Sequence, residues 1–257
     1  VVLWSHAMVV RPAQDQRTLA IDNMGDRPVR GTTDWQKYEL VLDIPGQASH
    51  LDVGAIITGN GTAWVDDFTI EEVGREVPTT GISMVVQPSN LGFEEGLAGW
   101  GRTGWSPAAY GYEADTSTAY EGASSARVKS RNPFEGGDRY TLLEQYLDAE
   151  QYAGKRVRVT GYLKSKDLRG IAGLFLRTYG PGGNQSIVDL SKLEGRQVTG
   201  TTGWREYEAV MDVPGEAYAI SYGLSVAGEG EVWLDALRVE VVETDVPITG
   251  TPGSPVP

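Results

Sequence analysis

Two stretches of the sequence carry side chains able to hold a polar, ring-shaped ligand. In residues 174–179, Leu174 and Leu176 alternate with Phe175, Arg177 and Tyr179; in residues 155–163, Val157, Val159 and Leu163 alternate with Arg156, Arg158 and Tyr162. Successive residues of a strand point to opposite faces, so the aliphatic sets face a core and the aromatic and arginine sets face away from it. Aromatic rings stack on flat, weakly polar surfaces, and a guanidinium donates to hydroxyl oxygens. That combination suits a sugar, and makes Arg158, Tyr162, Phe175, Arg177 and Tyr179 the candidate ligand-binding residues. A third strand with Ile220, Tyr222, Leu224 and Val226 inward offers Ser221, Gly223 and Ser225 as a small, polar floor. Phe175 and Tyr179 equally suit packing beneath a loop or a neighbouring module, and both readings stand at this point.

Other chemistry has little to be built from. No cysteine is present for a thiol nucleophile, and the two histidines, His6 and His50, belong to no motif, so a Ser-His-Asp triad or a His-rich zinc site has little to be built from. No phosphate-binding, dinucleotide-binding, nucleophile-elbow or helical zinc motif occurs. A glycosidase-type carboxylate pair is not excluded by counting, because 35 acids are present, but nothing singles one out. The expectation is a noncatalytic chain. With 22 scattered basic residues and a net charge of -13 it lacks the footprint of a nucleic-acid binder. Its apolar runs are far shorter than the roughly 20 residues of a membrane-spanning helix.

The elements that must position these residues are strands. The 33 glycines and 13 prolines separate short runs rich in Val, Thr and aromatics, and no long stretch has a 3.6-residue apolar period. The fold class expected is all-β. Sliding the chain along itself aligns residues 27–81 with 196–250 at a constant offset of 169, with 24 identities in 55 positions. The chain therefore divides into residues 1–74, the carboxyl half of one unit; 75–87, a linker; 88–243, a complete unit; and 244–257, a Pro/Gly/Thr tail. Its ends read as those of a piece of a longer protein. Trp35 and Trp64, with their mates Trp204 and Trp233, and Trp100 are expected in the core. Half a sandwich leaves strand edges and an apolar face open, so the missing half is expected upstream, from another chain, or from packing on the complete unit.

Residues 90–100 (NLGFEEGLAGW), 115–128 (DTSTAYEGASSARV) and 152–162 (YAGKRVRVTGY), with the closing Trp233-Leu234-Asp235 and Trp64-Val65-Asp66-Asp67, resemble carbohydrate-binding modules of the galactose-binding-like jelly-roll class. They are similar in particular to an uncharacterised kind found in front of secreted bacterial hydrolases. The resemblance implies an antiparallel jelly-roll β-sandwich, one complete unit preceded by the carboxyl half of a related one. It further implies a noncatalytic, extracellular or cell-surface accessory module of a larger secreted bacterial protein, with carbohydrate as partner. By the same resemblance a structural calcium is expected, with Glu94, Asp115 and Asp235 as its ligands, and Asp66 or Asp67 in the first unit. Ala236 replaces the second acid of the closing pair. The alternative is a structural subunit of an extracellular assembly, filament or adhesin that forms a homo-oligomer or polymer through residues 1–74.

Overall fold

The computed structural model describes residues 1–10, 16–44, 48–74, 76–85, 87–131, 139–180, 183–188 and 196–249. In chain order the strands are β1 (Val2–Val10), β2 (Gln16–Asp22), β3 (His50–Ile56), β4 (Ile82–Val85), β5 (Gly101–Thr103), β6 (Tyr110–Asp115), β7 (Ser125–Ser130), β8 (Tyr140–Asp148), β9 (Arg156–Gly180), β10 (Gly183–Val188), β11 (Val198–Asp212) and β12 (Ala219–Val242). A 3-10 turn (Pro107–Ala109) is the only helical element among the described residues. The chain forms two compact units, residues 1–83 and 84–257.

The second unit is an antiparallel β-sandwich built on β9 and β12, which pair with each other from Arg156–Val242 to Tyr179–Ala219. The first half of β9 pairs with β11 on its other edge, and the second half of β12 with β7, which pairs with β6. The second half of β9 pairs instead with β10, and the first half of β12 with β8, which pairs with β5 and, in parallel, with Met84 and Val85. Two five-stranded sheets therefore share the same two long strands. Their inward residues merge in one core, in which Val157, Val159, Leu163, Val232 and Leu234 of one sheet meet Leu174, Leu176, Ile220, Tyr222 and Leu224 of the other.

Both strands turn from sheet to sheet at one corner, where Gly170, Gly228 and Gly230 adopt φ values of 147°, 108° and 136° and the register slips between Glu229 and Glu231. There the two backbones touch. A Cβ on Gly170 would strike the Ala227 carbonyl, and one on Gly228 the Arg169 carbonyl. One end of the sandwich is closed by buried Gln145, whose Nε2 donates to the Ser89 and Gly99 carbonyls while Oε1 accepts from Ser89 N–H and Tyr222 hydroxyl. The Asn90 side chain ties up Glu95, Gly96 and Ala98, and Trp100 Nε1 donates to the Asn90 carbonyl. These bonds give the NLGFEEGLAGW segment its physical purpose.

Unit 1 repeats part of this pairing residue for residue. Leu3 lies opposite Ala55, His6 opposite Asp52 and Met8 opposite His50, as Leu174 lies opposite Leu224, Arg177 opposite Ser221 and Tyr179 opposite Ala219. His6 faces Ile21 as Arg177 faces Ile187, and both hairpins skip a residue at the same point, after Ala7–Ala20 and after Thr178–Ser186. β1, β2 and β3 thus correspond to the second half of β9, to β10 and to the first part of β12. The repeated VPTTG and VPITG segments are pins: Thr80 and Thr249 each accept from and donate to the backbone of Val41 and Val210.

Two expectations are corrected. Residues 75–87 are not purely a linker, because β4 lies within them and Ile82 and Ser83 pair with β2. Trp100 and Trp233 are buried and Trp204 half-buried, but Trp35 and Trp64 are 67% and 74% exposed. In unit 2 the counterparts of residues 29–43 and 62–73 are β11 and the end of β12, ordered by the first half of β9. Among the described residues of unit 1 no strand pairs with either stretch, and most of their side chains stay exposed, although Tyr38, Leu40, Val41 and Leu42 are half-buried.

The corner generates a prediction. A side chain at Gly170 meets backbone that cannot move without breaking both sheets, so Gly170→Ala lowers stability by about 2–3 kcal/mol. Gly203→Ala, which meets open space, changes it by less than about 0.5 kcal/mol, both read by urea denaturation.

Candidate functional site

The outward face of the sheet formed by β5, β8, β12, β9 and β10 carries three of the five candidate ligand residues. Phe175, Arg177 and Tyr179 stand in one row on β9, opposite Gly223, Ser221 and Ala219 of β12. Beyond β12, the neighbouring row on β8 is Glu144 and Tyr146, which face Gly223 and Ser221. The Tyr146 and Tyr179 rings stack with centroids 5.6 Å apart, and their hydroxyls lie 3.1 Å apart. Arg177 donates to the Tyr179 hydroxyl at 3.4 Å, and its guanidinium carbon lies 5.9 Å from the Phe175 ring centre. Phe175 is fully buried and acts as a support under Arg177 rather than as an open stacking surface.

Charge lies at the centre of this face. Glu144 is buried and accepts hydrogen bonds from the hydroxyls of Thr103 and Ser221, with the Arg177 charge nearby. Burial pushes the Glu144 carboxyl above its ordinary range, and these two hydroxyls and the Arg177 charge only partly offset it. Burial, aided by the Glu144 charge, also raises the Tyr146 phenol. Ser225 Oγ and Arg177 Nε are buried and have no hydrogen-bond partner among the described residues. At the rim, Trp105 is 76% exposed and leans on Tyr140, ring centres 5.4 Å apart. Tyr140, Glu144 and Tyr146, which the alternation of β8 places on this face, and Trp105, from the turn after β5, join the candidate residues.

The other two candidates lie elsewhere. Arg158 and Tyr162 belong to the first half of β9, on the outward face of the opposite sheet. Arg158 Nε and Nη2 bond Glu240 at 2.9 and 2.7 Å. Tyr162 stacks on Tyr120, with centroids 3.4 Å apart, beside Trp204. Lys164 lies 6.0 and 5.2 Å from the Trp204 and Trp233 ring centres and donates to Thr118. The corner between the two halves of β9 separates the five residues into two sets.

The acids considered for calcium also divide. Asp115 accepts from Ser117 N–H and hydroxyl, from Trp233 Nε1 and from Arg127. Burial alone would raise its carboxyl, but these donors outweigh burial and hold it below the usual range. Asp235 instead accepts from the N–H groups of Tyr120, Glu121 and Ala236, and Glu94 from that of Ala123. Burial, reinforced by the Glu94 charge, raises Asp235. These two carboxylates hold the 120–123 loop through amide donors. Asp66 and Asp67 are exposed, and Asp66 accepts from Asp67 N–H. No group of three His, Cys, Asp or Glu suited to a metal occurs among the described residues.

The buried carboxyl generates a prediction. A carboxyl raised by folding contributes stability that is complete below its unfolded value, about 4.3, and is lost as pH rises through its folded value. Urea unfolding of the parent and of Glu144→Gln from pH 4 to pH 8 should give a stability difference that moves steadily in favour of the glutamine variant as pH rises. A pH-independent difference would show that Glu144 ionises as freely when folded as when unfolded.

Described residues contain no helix long and apolar enough to cross a membrane. No family model matches the sequence. Over 156 residues, 61% of this chain and 52% of the other, it is 31% identical to an uncharacterised HTH-type transcriptional regulator, YbfP, of Bacillus subtilis (strain 168). The chain thus spans about half the length of that curated relative. Similar solved structures include the enzymatically active domain of tailspike protein 4 of bacteriophage CBA120, at a TM-score of 0.46 and 15% identity over 60% of this chain and 21% of that one. They also include the CBM22-1 xylan-binding domain of Paenibacillus barcinonensis Xyn10C, at 0.44 and 15% over 60% of this chain and 92% of that one. A third is TmCBM61 in complex with β-1,4-galactotriose, at 0.41 and 19% over 60% and 97%.

Proposed function

We propose that the second unit is a noncatalytic carbohydrate-binding module, an accessory part of a larger secreted bacterial protein that works outside the cell or on its surface. The observation that carries this reading is the row of aromatic rings, Tyr140, Tyr146, Tyr179 and exposed Trp105, beside Arg177 and Glu144 on one outward sheet face. Rings supply flat stacking surfaces, and Arg177 and Ser225 supply donors for hydroxyl oxygens, while the Ser221 proton is given to Glu144. A ligand-recognising sandwich serves a regulator, as the Bacillus relative is named, as readily as an exported enzyme.

Calorimetric titration with soluble xylan and β-1,4-galactan tests the reading. One glycan should bind, and Tyr179→Ala and Trp105→Ala should each weaken it by about 10-fold or more, close to 1.4 kcal/mol. Trp105→Ala should leave stability within about 0.5 kcal/mol, because the ring is largely in solvent. Absence of binding across a broad glycan panel would remove the carbohydrate reading.

A second reading, a structural subunit of an extracellular assembly, is favoured by the surface of unit 1. Of the fourteen large apolar side chains exposed among the described residues, the eleven from Trp35 to Val73 lie there. Light scattering on the full chain separates the two: a particle of 27.8 kDa fits the binding module, and a concentration-dependent series of multimers fits the assembly.

A further inference from the structure

The exposed side chains of unit 1 have buried counterparts. At the offset of 169, Leu51, Val53, Ile57, Trp64, Val65 and Phe68 take the places of Ile220, Tyr222, Val226, Trp233, Leu234 and Leu237. The first set is exposed by 42% or more and the second by 5% or less. The mates of Leu51, Val53 and Ile57 pair with β8 and the second half of β9, whereas those of Trp64 and Val65 pair with β7 and the first half of β9. In unit 2 the first half of β9 lies between β11 and the end of β12: Arg156 between Asp212 and Val242, Arg158 between Val210 and Glu240, Val159 between Ala209 and Val239.

Charge marks the same positions. Arg156 bonds Asp212 through Nε and Nη2 at 2.7 and 2.9 Å, and Arg158 bonds Glu240. Unit 1 keeps the acids, Asp43 at the place of Asp212 and Glu71 at that of Glu240, together with Leu40, Leu42 and Ile70 for Ala209, Met211 and Val239. It has no counterpart of the arginines, because β1 already corresponds to the second half of β9.

We propose that residues 36–43 and 65–73 take up an extended polypeptide segment of the β9 type, antiparallel to both. Basic residues of that segment face Asp43 and Glu71, and the alternate residues are apolar and face Leu42 and Leu40. The occupant comes from outside these 257 residues. The chain's own β9 is paired on both edges in unit 2, and a second copy's β9 is engaged in the same way. Neither the sugar reading nor self-assembly is needed for this inference, and its test is read at different residues from theirs.

Register gives the experiment. Leu3 corresponds to Leu174, so residues 88–172 of this chain placed directly before Val2 of the full chain supply the missing strand in frame. In hydrogen exchange, amides of 36–43 and 65–73 should then slow by about 100-fold relative to the unextended chain, and tryptophan emission should shift to shorter wavelength as Trp64 is covered. Arg156→Glu with Arg158→Glu in the added copy should abolish most of that protection, and Asp43→Lys with Glu71→Lys should restore it. Amides that exchange as fast as before would overturn the proposal. Equal protection by the charge-reversed segment would overturn the basic character assigned to the occupant.

Discussion

Everything in the second unit depends on one antiparallel pairing, that of β9 with β12. At 25 and 24 residues these strands are several times the usual five or six, and a flat ribbon of that length would run past any core it could cover. The glycine corner solves this by folding the ribbon over itself, so that one pair of strands supplies the middle of both sheets. The solution is steric. Gly170 and Gly228 sit where each backbone meets the other's carbonyl, and their positive φ angles are ones that other residues rarely adopt.

The same constraint explains why two segments with 24 identities have different local structure. Residues 198–212 are a strand because β9 lies beside them; residues 29–43, the aligned segment of the repeat, have no such neighbour among the described residues and form none. Strand propensity did not decide the outcome, because a strand is stable only as part of a sheet with a buried face. At about 1.5–3 kcal/mol for each buried aliphatic or aromatic side chain, the six exposed residues of unit 1 with buried mates represent on the order of 10 kcal/mol of burial that the second unit has and the first lacks. That quantity is comparable to the whole stability of a typical domain.

Much of this was legible in the sequence, and the limits have physical causes. The alternation of Val157 with Arg158, of Leu174 with Phe175 and of Ile220 with Ser221 gave the inward and outward faces correctly, because period-two patterning survives any later bending of the strand. It could not tell that Tyr162 and Tyr179 end on opposite outer faces. That separation comes from a turn at Asp167 and Gly170, where backbone angles rather than hydrophobicity carry the information. The repeat does not carry the burial of Trp204 and Trp233 over to Trp35 and Trp64, because the first half of β9 lies outside the aligned blocks. Glu144 and Tyr146 were passed over because β8 is apolar on both faces for much of its length, and a carboxylate inside such a run reads as an interruption until its partners Thr103 and Ser221 are placed around it.

The two units also differ in a way that separates scaffold from site. The segments that repeat include structural ones, such as the threonine pins at Thr80 and Thr249. The ligand face does not repeat. By register, Trp4, His6 and Met8 occupy the positions of Phe175, Arg177 and Tyr179, and Asp52 that of Ser221. The arginine and the tyrosine of the second unit are replaced at these register positions by histidine and methionine. The hairpin was kept down to its skipped residue while the residue types at these register positions changed. Sheet pairing and surface recognition are therefore specified by different residues of the same strands, and the recognition chemistry assigned to Arg177, Tyr179 and Tyr146 belongs to the second unit alone.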